Sequence, residues 1–353
     1  MATASKNCFL VTGGTGFIGS YLALELLNQY QGSEVVLADS NPDRRRVVGF
    51  KDRYTAVKDR ITFVQCDLAK FDHVLALFDN HMPTSVFHLG ALLSAGADAN
   101  PTQGFEVDLL GTRHVFEAAR LYCQNNKNRP PIRVLFPSTI ASFGSFLPKG
   151  PVANESVQMP TTMYGLSKVS SERLGEWYQS RTPDPWIDFR GVRFPSVIGA
   201  ARGPGGTTVY STLMIQLPLK GNPYEAFVNA DTPLDILYVK DAVRALIGLH
   251  DAENGRLKRR VYNIAGIRIG GKAPTAQQIK DAVLAHKPDA GEITFKANQS
   301  LVDIVHTFGI LDDNAAREDW GWKGDWLDLG KVVPDFDVEI QKYPDRIKAL
   351  ELY

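Results

Sequence analysis

Cys8-Phe9-Leu10-Val11-Thr12-Gly13-Gly14-Thr15-Gly16-Phe17-Ile18-Gly19 joins an apolar run to a helical pattern through a glycine-rich turn. Residues 8–11 read as a buried strand. From Phe17 to about residue 29 the apolar side chains Ile18, Leu22 and Leu26 recur at helical spacing. Gly13, Gly16 and Gly19 satisfy G-x-x-G-x-x-G, and Gly14, Gly16 and Gly19 satisfy G-x-G-x-x-G. Glycine permits the tight turn, brings the backbone close to a pyrophosphate, and lets the helix pack on the strand. The helix start then presents free N–H groups to the anion. Glycines alone are common. A strand before them and a helix after them make the motif a dinucleotide site.

The same rhythm continues outward. Residues 34–38, 61–64, 85–89, 132–136 and 189–194 read as strands, with helical segments between, clearest at about 104–123 and 164–181. Short apolar strands alternating with amphipathic helices predict a parallel, doubly wound sheet. After about residue 193 the rhythm changes. Gly203-Pro204-Gly205-Gly206 marks a long loop, and Pro and Gly recur through 218–233. Residues 234–238 and 261–264 read as strands returning to the first domain. The expected architecture is α/β: a Rossmann-type sheet from residues 1–192 with about 234–264. A smaller α+β substrate-binding domain takes 193–233 and 265–353.

Bulk properties narrow the class. The chain has 353 residues, 44% of them apolar, and its 39 basic and 39 acidic residues cancel. Zero net charge argues against a nucleic-acid partner. Cys8, Cys66 and Cys123 form no disulfide framework and suit a reducing cytoplasm. No cysteine or histidine spacing predicts a metal site. No run of eighteen apolar residues predicts a membrane span, and residues 1–7 do not read as a signal peptide.

Asp39 stands twenty residues beyond Gly19, where an acid grips the adenosine ribose. A carboxylate there repels a 2′-phosphate, so NAD is the expected cofactor. The neighbouring Arg44, Arg45 and Arg46 read as a solvated run. Asp67 and Leu68 follow the third strand, where an acid can meet the adenine amino group.

Tyr164 and Lys168 are spaced i, i+4 at a helix start and share a face. A phenol serves as a base only if its pKa falls from about 10 toward 7, a shift of roughly 4 kcal/mol. An adjacent ammonium can supply part of that. Tyr54 and Lys58 match the same spacing but precede a strand without a hydroxyl partner, and read as surface. Tyr164 follows a strand ending in Pro137-Ser138-Thr139, which offers one.

These motifs together resemble the extended short-chain dehydrogenase/reductase family, which includes epimerases, dehydratases and threonine dehydrogenases. The resemblance implies a triad of Thr139, Tyr164 and Lys168. Thr139, rather than Ser138, stands five residues before Gly144, as the family's catalytic hydroxyl does. His88-Leu89-Gly90-Ala91 resembles the family's cofactor-lining H-L-A-A, and Arg193-Phe194-Pro195-Ser196 its R-x-P segment. The implied cofactor contacts are Gly13, Gly16, Phe17, Ile18, Gly19, Asp39, Asp67, Leu68, Leu89, Gly90, Ala91, Tyr164, Lys168 and Pro195.

Residues 91–95, 160–165, 204–208 and 316–322 are similar to the family's threonine-dehydrogenase branch. That similarity implies oxidation of the secondary hydroxyl of a small polar substrate, an L-threonine-like amino acid or a hydroxy acid. Ser94, Thr139, Tyr164 and one of Thr207 and Thr208 would contact it, and a tail tryptophan would close over it. It also implies a homodimer built on the helices at 104–123 and 164–181. The chain departs from the pattern at Asp108, where asparagine is usual, and at Gly90, where alanine is usual. Asp235 stands where that branch has proline, and a carboxylate there would repel a substrate's own. Residues 199–203 also differ. Ile140 and Ala141 replace the acidic pair of a dehydratase. The remaining alternatives are an NAD-dependent nucleotide-sugar 4-epimerase and a non-catalytic NAD sensor.

Overall fold

Seven parallel strands form the central sheet of the computed structural model, ordered edge to edge as follows. Val261–Asn263 comes first, then Asp188–Phe194, Arg133–Thr139, Ser85–His88, Cys8–Thr12, Glu34–Asp39 and Ile61–Gln65. The structure describes residues 7–127, 129–145, 150–182, 184–203 and 205–348. Residues 1–6, read above as no signal peptide, and Pro204 of the long loop lie outside the described residues.

Strand order reverses between Cys8–Thr12 and Ser85–His88. In such sheets a crevice opens there at the carboxyl ends of the strands. Successive side chains feed two cores. Phe9, Val11, Val35, Leu37, Phe87 and Leu135 enter one. Leu10, Val36, Ala38, Val86, Val134 and Phe136 enter the other. That alternation is the period of a strand buried on both faces. Helices Phe71–His81, Gly111–Asn125 and Met163–Gln179 supply side chains to the second core. Phe17–Gln29 and Val239–Asp251 supply the first.

Of the two late segments, Val261–Asn263 enters the main sheet beside Asp188–Phe194. The other does not rejoin it. Ile236–Tyr238 pairs with Ser196–Ile198 in a small parallel sheet of its own. Each is only three residues long, and residues 194–197 before and within the pair line the cleft. The helix expected over 104–123 contains a π-helical turn at Phe105–Leu110 before Gly111–Asn125. Asp108 is the buried residue of that turn.

The C-terminal segment returns to the first helix. Arg346 is buried and donates to the Arg46 carbonyl, the Tyr21 hydroxyl and Ser20 Oγ, while pairing with Glu339 at 3.7 Å.

Candidate active site

A cleft of about 1060 Å³ lies over the strand ends. Every site residue named from the sequence lines it: the glycine loop, Asp39, Asp67, Leu68, Leu89, Gly90, Ala91, Ser94, Thr139, Tyr164, Lys168, Pro195, Thr207 and Thr208. The loop turns on Gly13, whose φ is +63°, a conformation that costs glycine little. A Cβ on Gly13 would stand 2.8 Å from Gly90 Cα, and one on Gly90 would stand 2.6 Å from Leu68 Cδ1. The backbone contact requires glycine at position 13, whereas a Cβ at position 90 would ask only the end of the Leu68 side chain to move. Gly16 caps the Phe17–Gln29 helix without any side-chain hydrogen bond, so the first N–H groups stay open for an anion.

Asp39 accepts from Thr15 N and Thr15 Oγ1 through Oδ2 alone, at 3.3 and 2.9 Å. Its other oxygen has no bond among the described residues and is open for ribose hydroxyls. Asp67 accepts from Ala69 N through Oδ1 and likewise keeps one oxygen open. Open helix N–H groups, a ribose acid and a glycine turn with no room for side chains together fit a dinucleotide.

A hydrogen-bonded chain braces the Leu89–Ala91 wall. Thr112 donates to the Asp108 carbonyl, so its oxygen accepts from His88 Nε2–H at 3.0 Å. His88 Nδ1 then accepts from Thr12 Oγ1 at 2.7 Å, and that hydroxyl accepts from Gly90 N. Burial, with help from Lys168, pushes the His88 pKa down to about 3, so the ring is neutral. His88 is therefore a satisfied core histidine.

Thr162 caps the Met163–Gln179 helix by accepting from Gly165 N at 3.0 Å. This sets Tyr164 and Lys168 in its first turns. The Lys168 ammonium stands 5.6 Å from the Tyr164 ring centroid and donates to the Pro137 carbonyl at 2.9 Å. Burial pushes Lys168 down to about 8, with Asp108 and Glu172 opposing. Tyr164 is raised above its usual value by burial and then by Asp108, while Arg202 pulls it down.

The structure separates the two candidate hydroxyls. Ser138 donates to the buried Glu172, which also binds Arg193 Nη2 at 2.7 Å and Gln158 Nε2 at 3.0 Å. Thr139 accepts only from Ala141 N, at 3.2 Å, and keeps its proton for a ligand.

Asp108 is buried, accepts from Leu92 N at 2.7 Å, and leaves Oδ2 without a partner. Burial pushes its pKa up, with Lys168 opposing. Its charge raises both Tyr164 and Lys168. Asp108→Asn is expected to shift both limbs of a pH–rate profile governed by Tyr164 and Lys168 toward acid, because each group then loses its proton at lower pH. A profile that overlays the parent's would contradict this role.

Two expectations on the substrate side change. Asp235 lines the cleft, but Arg268 binds it through both Nη atoms, and Gly266 N and Leu311 N complete its bonds. Burial pushes its pKa up while Arg268 pulls against it. Its charge is therefore met inside the protein and does not stand free against a substrate. The tail tryptophans do not line the cleft. Trp320 packs on Gly248 and Tyr262, Trp322 donates to Asp313, and Trp326 lies against Tyr238. Asp303, Ile304, Thr307 and Phe308 line it from the tail instead.

Sequence reading missed two residues. Glu172 continues the Tyr164, Lys168 spacing by another four, which was a usable signal. Arg202 carried none: it sits in a loop that departs from the family pattern.

The fold and cleft define a dinucleotide-binding enzyme of the short-chain type. The family model described as NAD dependent epimerase/dehydratase matches residues 9–265. The chain is 30% identical over 334 residues to the mitochondrial L-threonine 3-dehydrogenase of Bos taurus, covering 94% of this chain and 82% of that protein. The holo form of GalE-like L-threonine dehydrogenase from Cupriavidus necator superposes with a TM-score of 0.81 at 31% identity, over 94% of this chain and 99% of that one. UDP-glucose 4-epimerase from Thermotoga maritima superposes at 0.76 over 95% and 99%, but its 22% identity shows the fold alone. The chain belongs to the NAD-dependent epimerase/dehydratase family. It is an NAD-dependent dehydrogenase, as its motifs predicted.

Proposed function

We propose that the protein oxidises the secondary hydroxyl of a small polar substrate, an L-threonine-like amino acid or a hydroxy acid, with Tyr164 as general base. The observation that carries this reading is the convergence of Tyr164, Lys168 and the unspent Thr139 hydroxyl on the cleft that also holds the glycine loop. Thr139 donates to the substrate oxygen and fixes it. Tyr164 takes the hydroxyl proton. Burial raises the Tyr164 pKa in the protein alone; the ammonium of Lys168, held by the Pro137 carbonyl beside the ring, and the cationic ring of bound NAD would act against that rise. Bound NAD supplies the hydride acceptor and a cationic ring. The sequence division into a cofactor unit and a 193–233 plus 265–353 substrate unit agrees with this use of the cleft. Exposed Phe105, Leu166 and Trp177 on the helices named above support a homodimer, and three cysteines outside any disulfide suit the cytoplasm.

The test is NADH formation at 340 nm from NAD with L-threonine, other β-hydroxy amino acids and small hydroxy acids. Saturable turnover of one of them is expected. Silence across the panel, with epimerisation of a UDP-sugar, would overturn the reading.

A further inference from the structure

We infer that Arg202 is a carboxylate clamp that selects small hydroxy carboxylates as substrates; the inference rests on the dehydrogenase reading of the same cleft. Arg202 lies on the cleft wall with Tyr164 and Thr208. It follows Ala201, one of only three non-glycine residues with positive φ among those described, at +67°. Left-handed backbone at a residue bearing a Cβ is strained, and such strain persists where the surroundings enforce it. Here Gln216 Oε1 accepts from the buried Ala201 N at 3.1 Å and pins the turn.

The guanidinium is only partly spent. Nη1 donates to the Val197 carbonyl at 3.0 Å and to Ser196 Oγ at 3.3 Å. Nη2 donates to Thr208 Oγ1 at 3.2 Å. Nε and one Nη2 hydrogen have no partner among the described residues. Nε and Nη2 share the edge of the guanidinium that grips a carboxylate by two parallel bonds. Thr208 Oγ1 also accepts from Ser196 Oγ at 2.8 Å, which frees its own proton for the same ligand.

What sets Arg202 apart is charge. The buried arginines Arg190, Arg193 and Arg346 pair with Asp188, Glu172 and Glu339. Arg202 pairs with no carboxylate among the described residues. Asp235, an acid on the same cleft, is taken by Arg268. Arg202 is half-buried on the cleft wall, and a partly desolvated cation without a counter-charge is favoured by a substrate carboxylate. Burial pushes Arg202 down to about 10, with Tyr164 opposing, so it remains charged at neutral pH.

The experiment compares the full-length protein with its Arg202→Met and Arg202→Lys variants, all with NAD. Substrates are L-threonine, 3-hydroxybutyrate and glycerate, each beside its primary amide. For the acid that turns over, Arg202→Met is expected to lower kcat/KM roughly 100-fold more than for its amide, mainly through KM, while the smaller loss on the amide falls in kcat and reports the charge that Arg202 lends to Tyr164. Arg202→Lys should fall between, because it keeps the charge and loses the fork. NADH affinity, read by fluorescence, should be unchanged and reports that each variant is folded. Equal losses on acid and amide, or no loss on the acid, would overturn the clamp while leaving the dehydrogenase intact. If no alcohol reduces NAD, the dehydrogenase reading fails, and calorimetric titration of the same acids into NADH-loaded protein still decides. Acid binding that Arg202→Met abolishes upholds the clamp. Binding that is equal in both proteins, or absent from both, overturns it.

Discussion

Tyr164→Phe is expected to lower kcat by roughly 100- to 10,000-fold, the usual share of a positioned acid–base group, while NAD affinity stays within a few-fold. Phenylalanine keeps the ring that packs beside Lys168 and removes only the hydroxyl. The glycine loop and Asp39, which line the same cleft from other segments, are untouched. The measurement is steady-state NADH formation together with fluorescence titration of NADH. Full activity in the variant would remove Tyr164 from the mechanism. Lost NADH binding would instead make the hydroxyl a structural element.

Glu172→Ala should destabilise the fold by about 3–5 kcal/mol, seen as a fall in Tm of roughly 5–10 °C. The Glu172 side chain is fully buried and takes donors from Arg193, Gln158 and Ser138. Removing it leaves the Arg193 guanidinium, 3% exposed, without its counter-charge. Asn154 O and Asn263 Oδ1 remain as its neutral partners. Activity should fall with stability, because Ser138 precedes Thr139 and Arg193 lies two residues before Pro195 of the cleft wall. Glu172→Gln keeps the shape and some bonds and should lose less. An unchanged melting curve in the alanine variant would show that the pair contributes nothing net.

Much of this was legible in the sequence because local pattern and tertiary role coincide there. The strand at 8–12, its glycines and the helix after them form one continuous unit, so spacing alone placed the cofactor loop. Tyr164 and Lys168 share a helix face for the same reason. Glu172 lies on that face too, but its partner Arg193 comes from a strand twenty-one residues later, and only the fold brings them together. The three tail tryptophans looked available in a polar stretch. Their neighbours Gly248, Tyr262 and Tyr238 are distant in sequence and draw them away from the cleft. Asp235 reads as a threat to an anionic ligand until Arg268, thirty-three residues on, is seen to meet it.

Arg346 ties the timing of synthesis to the cofactor half. Ser20, on the helix that opens the phosphate loop, is translated 326 residues before the guanidinium that reaches it. At ordinary ribosomal speeds of about 5–20 residues per second, that gap lasts roughly 15 s to a minute. Through that interval Ser20, Tyr21 and the Arg46 carbonyl lack the buried cation that they meet in the finished fold. The half of the protein made first therefore gains this contact last.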